Sequence, residues 1–327
     1  MKLSVIVPFY NAAQFLPRLE NTLHAQNDAD FEVIVVDDSS EPSHLAKLRE
    51  SASANHWKLV ELPENTGPGG ARNAGIVAAQ GDYLVFLDSD DELIAGALAR
   101  LSAATTDKPC DVLLFDFTIV NSANEQRYTM LPHQPNELDY VSPEYALAFA
   151  RGATVGKMYR TGFVQKHHLK FGAGVRHEDT VFTKSSLAWA DKVTYLPESL
   201  YRYQIHEGSL IGNKSNASFE ASFAALNAIR AAARGRREQE IEYVYIVEVI
   251  ISCVMKFHSL RVNRKKAREL FARFDLDCPS WPKNPYLRQA SLRYRLYAAL
   301  ARHHSYFGLK TLSMAETIAR KILHREH

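Results

Sequence analysis

Short apolar runs alternate with longer amphipathic segments over the first 120 residues of the chain. Runs rich in β-branched and aromatic residues predict buried strands, and the segments between them have helical spacing. Strands and helices that alternate in this way indicate βαβ units, and therefore an α/β fold with a mostly parallel sheet flanked by helices. The predicted strands are Leu3–Val7, Phe31–Val36, Lys58–Leu62, Tyr83–Leu87 and Val112–Val120, and the predicted helices are Ala12–Gln26, Ser43–Ser53, Gly70–Gln80 and Glu92–Ala104.

Several residues indicate where these helices begin. Asn11, Ser43 and Asp91 have side chains that commonly cap a helix N-terminus, and each stands at or near a predicted start. Pro17 lies about one turn into the first helix and should shift its start or bend it, because proline lacks a backbone N–H. The polar segment from Tyr128 to Tyr140 predicts a loop or a short hairpin.

The β-rich pattern ends after Asn213, and helical segments follow. At roughly 100–200 residues per domain, the chain is long enough for two domains. We predict an α/β domain over residues 1–213 and a C-terminal helical extension over residues 214–327, with prolines that divide the extension into two blocks. Its predicted helices are Ala217–Arg237, Glu238–Val262, Lys265–Phe274 and Leu287–Arg325.

The two predicted domains carry opposite charges. Residues 1–213 have 18 Lys and Arg against 27 Asp and Glu, and residues 214–327 have 21 against 10, so a net charge of −9 precedes one of +11. Basic residues beside Tyr and Leu suit an anionic membrane surface, at up to ~1 kcal/mol per charge. They equally suit packing against the protein or against a second copy in a homo-oligomer. No nucleic-acid partner is expected, because no recognition motif accompanies the arginines.

The cysteines and the N-terminus bear on the cellular compartment. Cys110, Cys253 and Cys278 are odd in number and share no close spacing, which argues against a disulfide framework or a zinc site. The first apolar run lacks a cleavage site and predicts a strand, not a signal peptide. No window reaches about 20 uninterrupted apolar residues. We therefore expect a cytoplasmic protein.

Polar side chains follow three of the predicted strands. Asp88, Ser89, Asp90 and Asp91 should emerge together at the carboxyl end of one strand, at the edge where open α/β sheets bind ligands. Clustered carboxylates call for a cation, and oxygen ligands suit Mg²⁺ or Mn²⁺. The alternative is a solvated turn with an acidic helix start. The other two strand ends are Pro8-Phe9-Tyr10-Asn11 and Asp37-Asp38-Ser39-Ser40, the second of which strand-end turn chemistry would also explain.

A glycine-containing loop precedes the third predicted helix. It spans Asn65 to Gly75 and includes Arg72, whose forked cation suits a phosphate or a base carbonyl. Glycines permit close backbone approach, and a helix start presents free N–H groups to anions. The loop fits neither the dinucleotide-binding nor the nucleotide-triphosphatase pattern, so alone it is weak evidence.

The motifs SVIVPFYN, VIVVDDSS, GPGGARNAG and GDYLVFLDSDD, in this order, resemble the family 2 glycosyltransferases. These are inverting enzymes with the A-type nucleotide-sugar fold. The resemblance is strong over about the first 100 residues. It continues more loosely to about residue 211, through Gly156–Arg160, Arg176–Phe182 and Leu200–Tyr203.

The resemblance implies a role for each motif. The donor is a nucleotide sugar, expected to be a UDP-sugar, and Mn²⁺ or Mg²⁺ bridges its diphosphate. A carboxylate on the opposite face takes the proton of the acceptor hydroxyl. The implied donor contacts are Asp38 to the base, with Pro8, Tyr10 and Asn11 beside it, and Arg72 near the base or ribose. Asp88-Ser89-Asp90 is the implied metal motif, in which Asp90 is the direct ligand and Asp88 lies nearer the ribose or an ordered water; Asp88 and Ser89 are also expected to contact the donor.

Four further residues complete the predicted site. Asp179 is the preferred base and Glu178 its substitute, although this pair could instead cap a helix that begins near Thr180. His206 could complete the metal shell, or it could be a surface residue. Lys157 could offset the diphosphate charge, although lysines are usually solvated.

The implied function is hexosyl or N-acetylhexosaminyl transfer to a hydroxyl of a glycan or lipid-linked glycan, in the synthesis of a surface polysaccharide. Two alternatives remain open. One is a nucleotide-sugar-binding module that has lost turnover. The other is a sugar nucleotidyltransferase, which usually has glycines and basic residues in its first strand-to-helix loop, where this chain has Pro8-Phe9-Tyr10-Asn11-Ala12-Ala13.

Overall fold

The computed structural model describes residues 2–26, 29–121, 124–133, 135–172, 177–206 and 219–323, the last four by their backbone only. The chain divides into two compact units. The first contains Met1–Ala217 and Ala228–Arg234, and the second contains Ser218–Asn227 and Gly235–His327. The predicted domain boundary between residues 213 and 214 lies outside the described residues. So do Arg176, the first residue of the Arg176–Phe182 motif, and Ala217, where a helix was predicted to begin.

Ten strands of the described residues form one mixed sheet in the first unit, in the order β3-β2-β1-β4-β9-β6-β10-β5, with β7 on β6 and β8 on β10. Strands β1 to β4 pair in parallel, as do β6 and β10, while β9 is antiparallel to both β4 and β6. The predicted α/β class is therefore confirmed. The strands are β1 Leu3–Phe9, β2 Phe31–Asp37, β3 Lys58–Glu61, β4 Tyr83–Phe86, β5 Glu92–Leu93, β6 Val112–Val120, β7 Glu125–Tyr128, β8 Asp139–Val141, β9 Lys157–Arg160 and β10 Val193–Gln204.

The helices of this unit begin at other residues than predicted. The three predicted N-caps are wrong. Pro42 begins α2 directly after Glu41, because proline favours a first helical position. Asn11 precedes a 3₁₀ turn, and Asp91 precedes the short strand β5. Pro17 does shift the start of α1. The helices are α1 Leu16–His24, α2 Pro42–Ala54, α3 Gly67–Ala78, α4 Ala97–Asp107, α5 Pro143–Phe149, α6 Thr161–Lys166 and α7 Glu178–Trp189.

Close packing between α3 and β1 positions the loop that carries Arg72. A Cβ atom at Gly75 would lie 2.3 Å from Cγ2 of Ile6, so only glycine permits this approach without a shift. Aromatic rings pack beside this contact, where Phe171 stacks on Phe182 with ring centroids 4.0 Å apart. Both rings also contact Phe86, the last residue of β4.

The remaining elements are helical, as predicted. Helix α8 contributes to both units, and the second unit continues from α9 through a π-helical stretch, Ile246–Ile251, into α10. The predicted helix Leu287–Arg325 is in fact two helices, because the chain turns at His304 with a left-handed φ of 51°. No described helix is long and apolar enough to cross a membrane. The helices are α8 Phe219–Ala233, α9 Glu238–Tyr245, α10 Ser252–Met255, α11 Arg264–Asp277, α12 Leu292–Arg302 and α13 Tyr306–Leu323, with 3₁₀ turns at Trp281–Lys283 and Pro285–Arg288.

Candidate active site

The carboxyl ends of β1, β2 and β4 open into a cleft of about 500 Å³ in the first unit. This is the sheet edge at which the sequence predicts a site. The structure brings nine of the predicted site residues to the cleft, from strand ends, α3 and the first turn of α7. They are Pro8, Tyr10, Asp38, Arg72, Asp88, Ser89, Asp90, Glu178 and Asp179.

Arg72 is the central cation of the cleft, although its side chain is only 7% exposed. Its Nη2 lies 2.6 Å from Oδ1 of Asp88, and its Nη1 lies 3.5 Å from Oε1 of Glu178. Burial opposes its charge, but the neighbouring carboxylates outweigh burial and raise its pKa. Its Nε has no hydrogen-bond partner among the described residues. Arg72 thus joins two carboxylates that are far apart in sequence.

Asp38 is held by the loop before α3. Its Oδ1 accepts hydrogen bonds from the backbone N–H of Thr66 at 2.7 Å and from the Thr66 hydroxyl at 2.9 Å. The adjacent Asp37 is buried outside the cleft, and its Oδ2 accepts the N–H of Ser40 at 3.1 Å. The turn interpretation therefore fits Asp37, and only Asp38 is placed to contact a ligand.

The carboxylates after β4 have separate environments. Oδ2 of Asp90 lies 2.7 Å from Nε2 of His206, whose ring packs 4.9 Å from that of Phe15. Asp91 is buried, and it accepts hydrogen bonds from the Tyr201 hydroxyl at 2.6 Å and the Gln204 N–H at 2.8 Å. Burial and the charges of Asp88 and Asp90 raise the pKa of Asp91 well above its ordinary value.

The expectation that all four residues after β4 face the cleft is therefore wrong for Asp91. Its carboxylate turns into the protein because the backbone continues into β5, which pairs with β10, the strand that carries both of its partners. Asp91 connects these strands, and Asp88 and Asp90 remain at the cleft.

Glu178 and Asp179 form the first turn of α7, and both line the cleft. The N-cap is His177, so the capping interpretation of the pair is wrong, although carboxylates are favourable throughout a first turn. Burial and the charge of Asp179 raise the pKa of Glu178, which Arg72 partly offsets. Oδ1 of Asp179 accepts the N–H of Thr180 at 2.7 Å.

Three predicted residues do not line the cleft: His206, which contacts Asp90 of the cleft, Asn11 and Lys157. Asn11 accepts the N–H of Glu41 at 2.8 Å through its side chain, so it joins two strand-end loops. Lys157 is fully buried where β9 begins, and its Nζ donates to the Ala153 carbonyl at 2.5 Å. Burial and nearby Lys184 lower its pKa well below the ordinary value. Lys157 therefore supports the cleft wall from behind, because its side chain points into the core.

Two of the cleft residues that sequence reasoning left unassigned have hydroxyl groups. Tyr203 of β10 lines the cleft. It belongs to the Leu200–Tyr203 motif of the family resemblance, so the sequence contained a signal for it. Thr154 also lines the cleft, is 4% exposed, and has a buried hydroxyl without a hydrogen-bond partner among the described residues. Nothing in the sequence distinguishes this threonine from others.

A Lys157→Met variant should be more stable than the parent near pH 7. The lowered pKa means that the folded state favours the neutral amine, whereas the unfolded chain keeps it protonated up to about pH 10.4. Lys157 therefore lowers the free energy of unfolding, most strongly at low pH, and this effect disappears as the pH approaches that value. Each pKa unit corresponds to about 1.4 kcal/mol, and we expect a gain of at least about 1 kcal/mol that shrinks as pH rises. Urea unfolding from pH 6 to 10 measures it, with the exposed Lys166→Met as control. A loss of stability at every pH would contradict this account.

The residues near β4 fit a divalent cation in part. In the described part of the chain, no group of three or more His, Cys, Asp and Glu side chains could hold a metal ion. Asp90 and His206 nevertheless place a carboxylate oxygen and an imidazole side by side, next to the further negative charge of Asp88. This donor set suits a cation that takes its other ligands from phosphate oxygens and water.

Residues 4–167, half of the chain, match the sequence profile described as Glycosyl transferase family 2. The chain therefore belongs to this family, and the resemblance of its four motifs is confirmed.

Three relatives show how far this similarity extends. The Poly(ribitol-phosphate) beta-N-acetylglucosaminyltransferase TarS of Staphylococcus aureus is 30% identical over 210 residues, which cover 62% of this chain and 35% of that protein. The Poly(ribitol-phosphate) beta-glucosyltransferase of Bacillus spizizenii is 27% identical over 210 residues, covering 63% and 32%. The succinoglycan biosynthesis protein ExoO of Rhizobium meliloti is 30% identical over 213 residues, covering 63% and 61%. The chain spans about a third of the length of the first two relatives.

Solved structures show the same fold. The crystal structure of S. aureus TarS 1–349 in complex with UDP-GlcNAc superposes with a TM-score of 0.75 at 22% identity, over 98% of this chain and 92% of that 1–349 chain. The mannosyltransferase PcManGT from Pyrobaculum calidifontis, in complex with GDP-Man and Mn²⁺, gives a TM-score of 0.51 at 14% identity, over 95% and 86%. At these sequence identities, the similarity shows a shared fold and nothing more specific.

Proposed function

We propose that this protein is an inverting, metal-dependent glycosyltransferase that transfers a sugar from a UDP-sugar to a hydroxyl of a glycan or lipid-linked glycan. The observation that carries the proposal is that Asp38, Arg72, Asp90 and Asp179, from four separate elements, line one cleft. The relatives add support, since two are named for transfer of N-acetylglucosamine or glucose to a polymer, and the TarS structure contains UDP-GlcNAc.

The cleft has polar groups for each part of a donor. Asp38 would accept the ring N–H of the base, with Pro8 and Tyr10 beside it, and Asp88 and Ser89 would contact the ribose. Arg72 would orient the donor through its positive charge, since the residue lines the cleft. Thr154, which also lines the cleft, would lie beside the sugar.

Asp90 and His206 would hold Mn²⁺ or Mg²⁺ against the donor diphosphate. Once bound, the cation supplies Lewis-acid stabilisation of the charge that develops on the departing nucleoside diphosphate. Asp90 is well placed for this role, because its carboxylate lies in the cleft while its backbone carbonyl accepts a hydrogen bond from Arg18 at 3.0 Å. That contact holds the loop and leaves the side chain available.

Asp179 would act as the general base. Glu178 is engaged by Arg72 and is covered by α3, where a Cβ atom at Gly69 would lie 2.9 Å from its Cγ. Asp179 takes the proton of the acceptor hydroxyl as that oxygen forms a bond to the anomeric carbon. The bond from the anomeric carbon to the phosphate oxygen breaks at the same time, and its electron pair leaves with the nucleoside diphosphate.

The wider context of the reaction is part of the same proposal. The acceptor would be a growing surface polysaccharide, and the sugar a hexose or N-acetylhexosamine. We place the reaction in the cytoplasm, where the three buried cysteine thiols would stay reduced. The helical extension would contact the acceptor, the membrane surface or a second copy of the chain.

A nucleotide-release assay across UDP-, GDP- and dTDP-sugars tests this function. We expect release of UDP from one UDP-sugar with Mn²⁺ present, and loss of release when a chelator is added. No release from any donor, with several acceptors supplied, would favour a binding module without turnover. Release of pyrophosphate from a nucleoside triphosphate and a sugar phosphate would instead identify a nucleotidyltransferase.

A further inference from the structure

The second unit contains a groove of about 670 Å³ that the proposed catalytic reaction does not use. One wall is α11, from Arg264 to Asp275, and the other is the turn between α12 and α13 with the first residues of α13. Two arginines, Arg264 and Arg268, line the first wall, and the second presents the rings of His304, Tyr306 and Phe307.

The arginines of the groove are free to bind an anion. Within the described residues, neither Arg264 nor Arg268 forms an ion pair, in contrast to Lys266 and Arg273 of the same helix. Asp275 is the acidic residue at the groove, and its Oδ2 lies 3.0 Å from Nε2 of His304. The groove therefore has a surplus of positive charge, within a part of the chain that is basic as a whole.

Aromatic rings form the rest of the binding surface. The Arg264 guanidinium lies 4.3 Å from the centroid of the Phe307 ring, which is 62% exposed. The His304 ring stacks on Phe271 with centroids 4.8 Å apart and planes 4° from parallel. An aromatic face offers an apolar platform to the C–H groups of a polyol or sugar, and a guanidinium fork matches a phosphate.

We infer that this groove binds a phosphate-bearing glycan chain, as a docking site for the acceptor. Arg264 and Arg268 stand one turn apart, about 6 Å along the helix axis, so they would contact successive phosphates of one chain. Phe307 would pack against the polyol or sugar between them. A flat bilayer fits less well, because membrane contact uses protruding apolar side chains, whereas these arginines lie in a concave surface. The inference rests on the proposed function, and it adds that the acceptor is an anionic chain that carries phosphate groups.

Binding of a labelled probe tests the groove without turnover. The probe is a fluorescein-labelled, six-unit oligomer of glycerol phosphate, and anisotropy reports its binding to the full chain. We expect Arg264→Ala with Arg268→Ala to weaken binding at least tenfold. The matched control is Lys265→Ala with Arg295→Ala, which removes the same charge from exposed positions outside the groove. Equal weakening in both variants would refute a specific groove.

Two further probes separate the alternatives. Phe307→Ala should weaken binding of the oligomer several-fold and leave linear polyphosphate unaffected, since only the oligomer carries polyol units. Equal effects on both would mean a general anion site and overturn the glycan assignment. Binding of phosphatidylglycerol vesicles but not of the oligomer, lost in the double arginine variant, would replace the glycan by a membrane. UDP-sugar binding is measured in parallel, so a failure of the catalytic proposal is recognised separately.

Discussion

Replacing Asp179 by asparagine is expected to slow sugar transfer by about 10²–10⁴-fold, the usual contribution of a general base. Asparagine has nearly the same shape and can still accept the Thr180 N–H, so the first turn of α7 should remain intact. It cannot take a proton from the acceptor hydroxyl. Calorimetric titration should therefore show nearly unchanged affinity for the UDP-sugar, while UDP release with acceptor present should almost cease.

The neighbouring carboxylate provides the control. Glu178→Gln should retain much more transfer than Asp179→Asn, because Glu178 mainly pairs with Arg72. The pH profile adds a second criterion. If Glu178 were the base, its raised pKa would make activity fall, as pH is lowered, at a higher pH than an ordinary glutamate. Normal turnover of Asp179→Asn, with this profile and an inactive Glu178→Gln, would assign the role to Glu178.

Replacing Asp90 by alanine should lower kcat/KM about a thousandfold or more, because Lewis-acid stabilisation is worth several kcal/mol. The variant also removes the partner of His206, which lies 2.7 Å away. We expect the stimulation of UDP release by Mn²⁺ to disappear, and direct Mn²⁺ binding, followed by electron paramagnetic resonance with UDP present, to weaken. Adding a chelator to the parent enzyme should lower its rate of UDP release to a value similar to that of Asp90→Ala.

The exposed Asp107→Ala, at the end of α4, is a matched loss of one carboxylate and should behave like the parent. Asp91→Asn offers a second comparison, since Asp91 connects β5 to β10 away from the cleft. The Asp91→Asn variant should differ from the parent mainly in its unfolding temperature, and much less in the stimulation of its UDP release by Mn²⁺. An Asp90→Ala enzyme that is still stimulated by Mn²⁺ would show that the ion is held elsewhere.

Much of the fold was predictable because local chemistry and tertiary structure agree there. Buried parallel strands are apolar throughout, so β1, β2 and β4 were visible in the sequence, and their parallel arrangement brings their carboxyl ends to one edge. The helix starts were less predictable. Aspartate is a common N-cap residue, which is why Asp91 was predicted to begin a helix. Its position is instead fixed by hydrogen bonds with Tyr201 and Gln204, more than 100 residues later in the chain.

The same distinction applies to the site. The residue types that follow the strands are a property of the sequence, and they include the surplus of carboxylates that calls for a cation and a phosphate-bearing ligand. Long-range packing selects which of these residues share the cleft: Arg72 reaches Glu178 across 106 residues, while Lys157 points into the core. Strand ends follow from a local pattern of burial, whereas the direction of a side chain depends on partners that packing brings from distant parts of the chain.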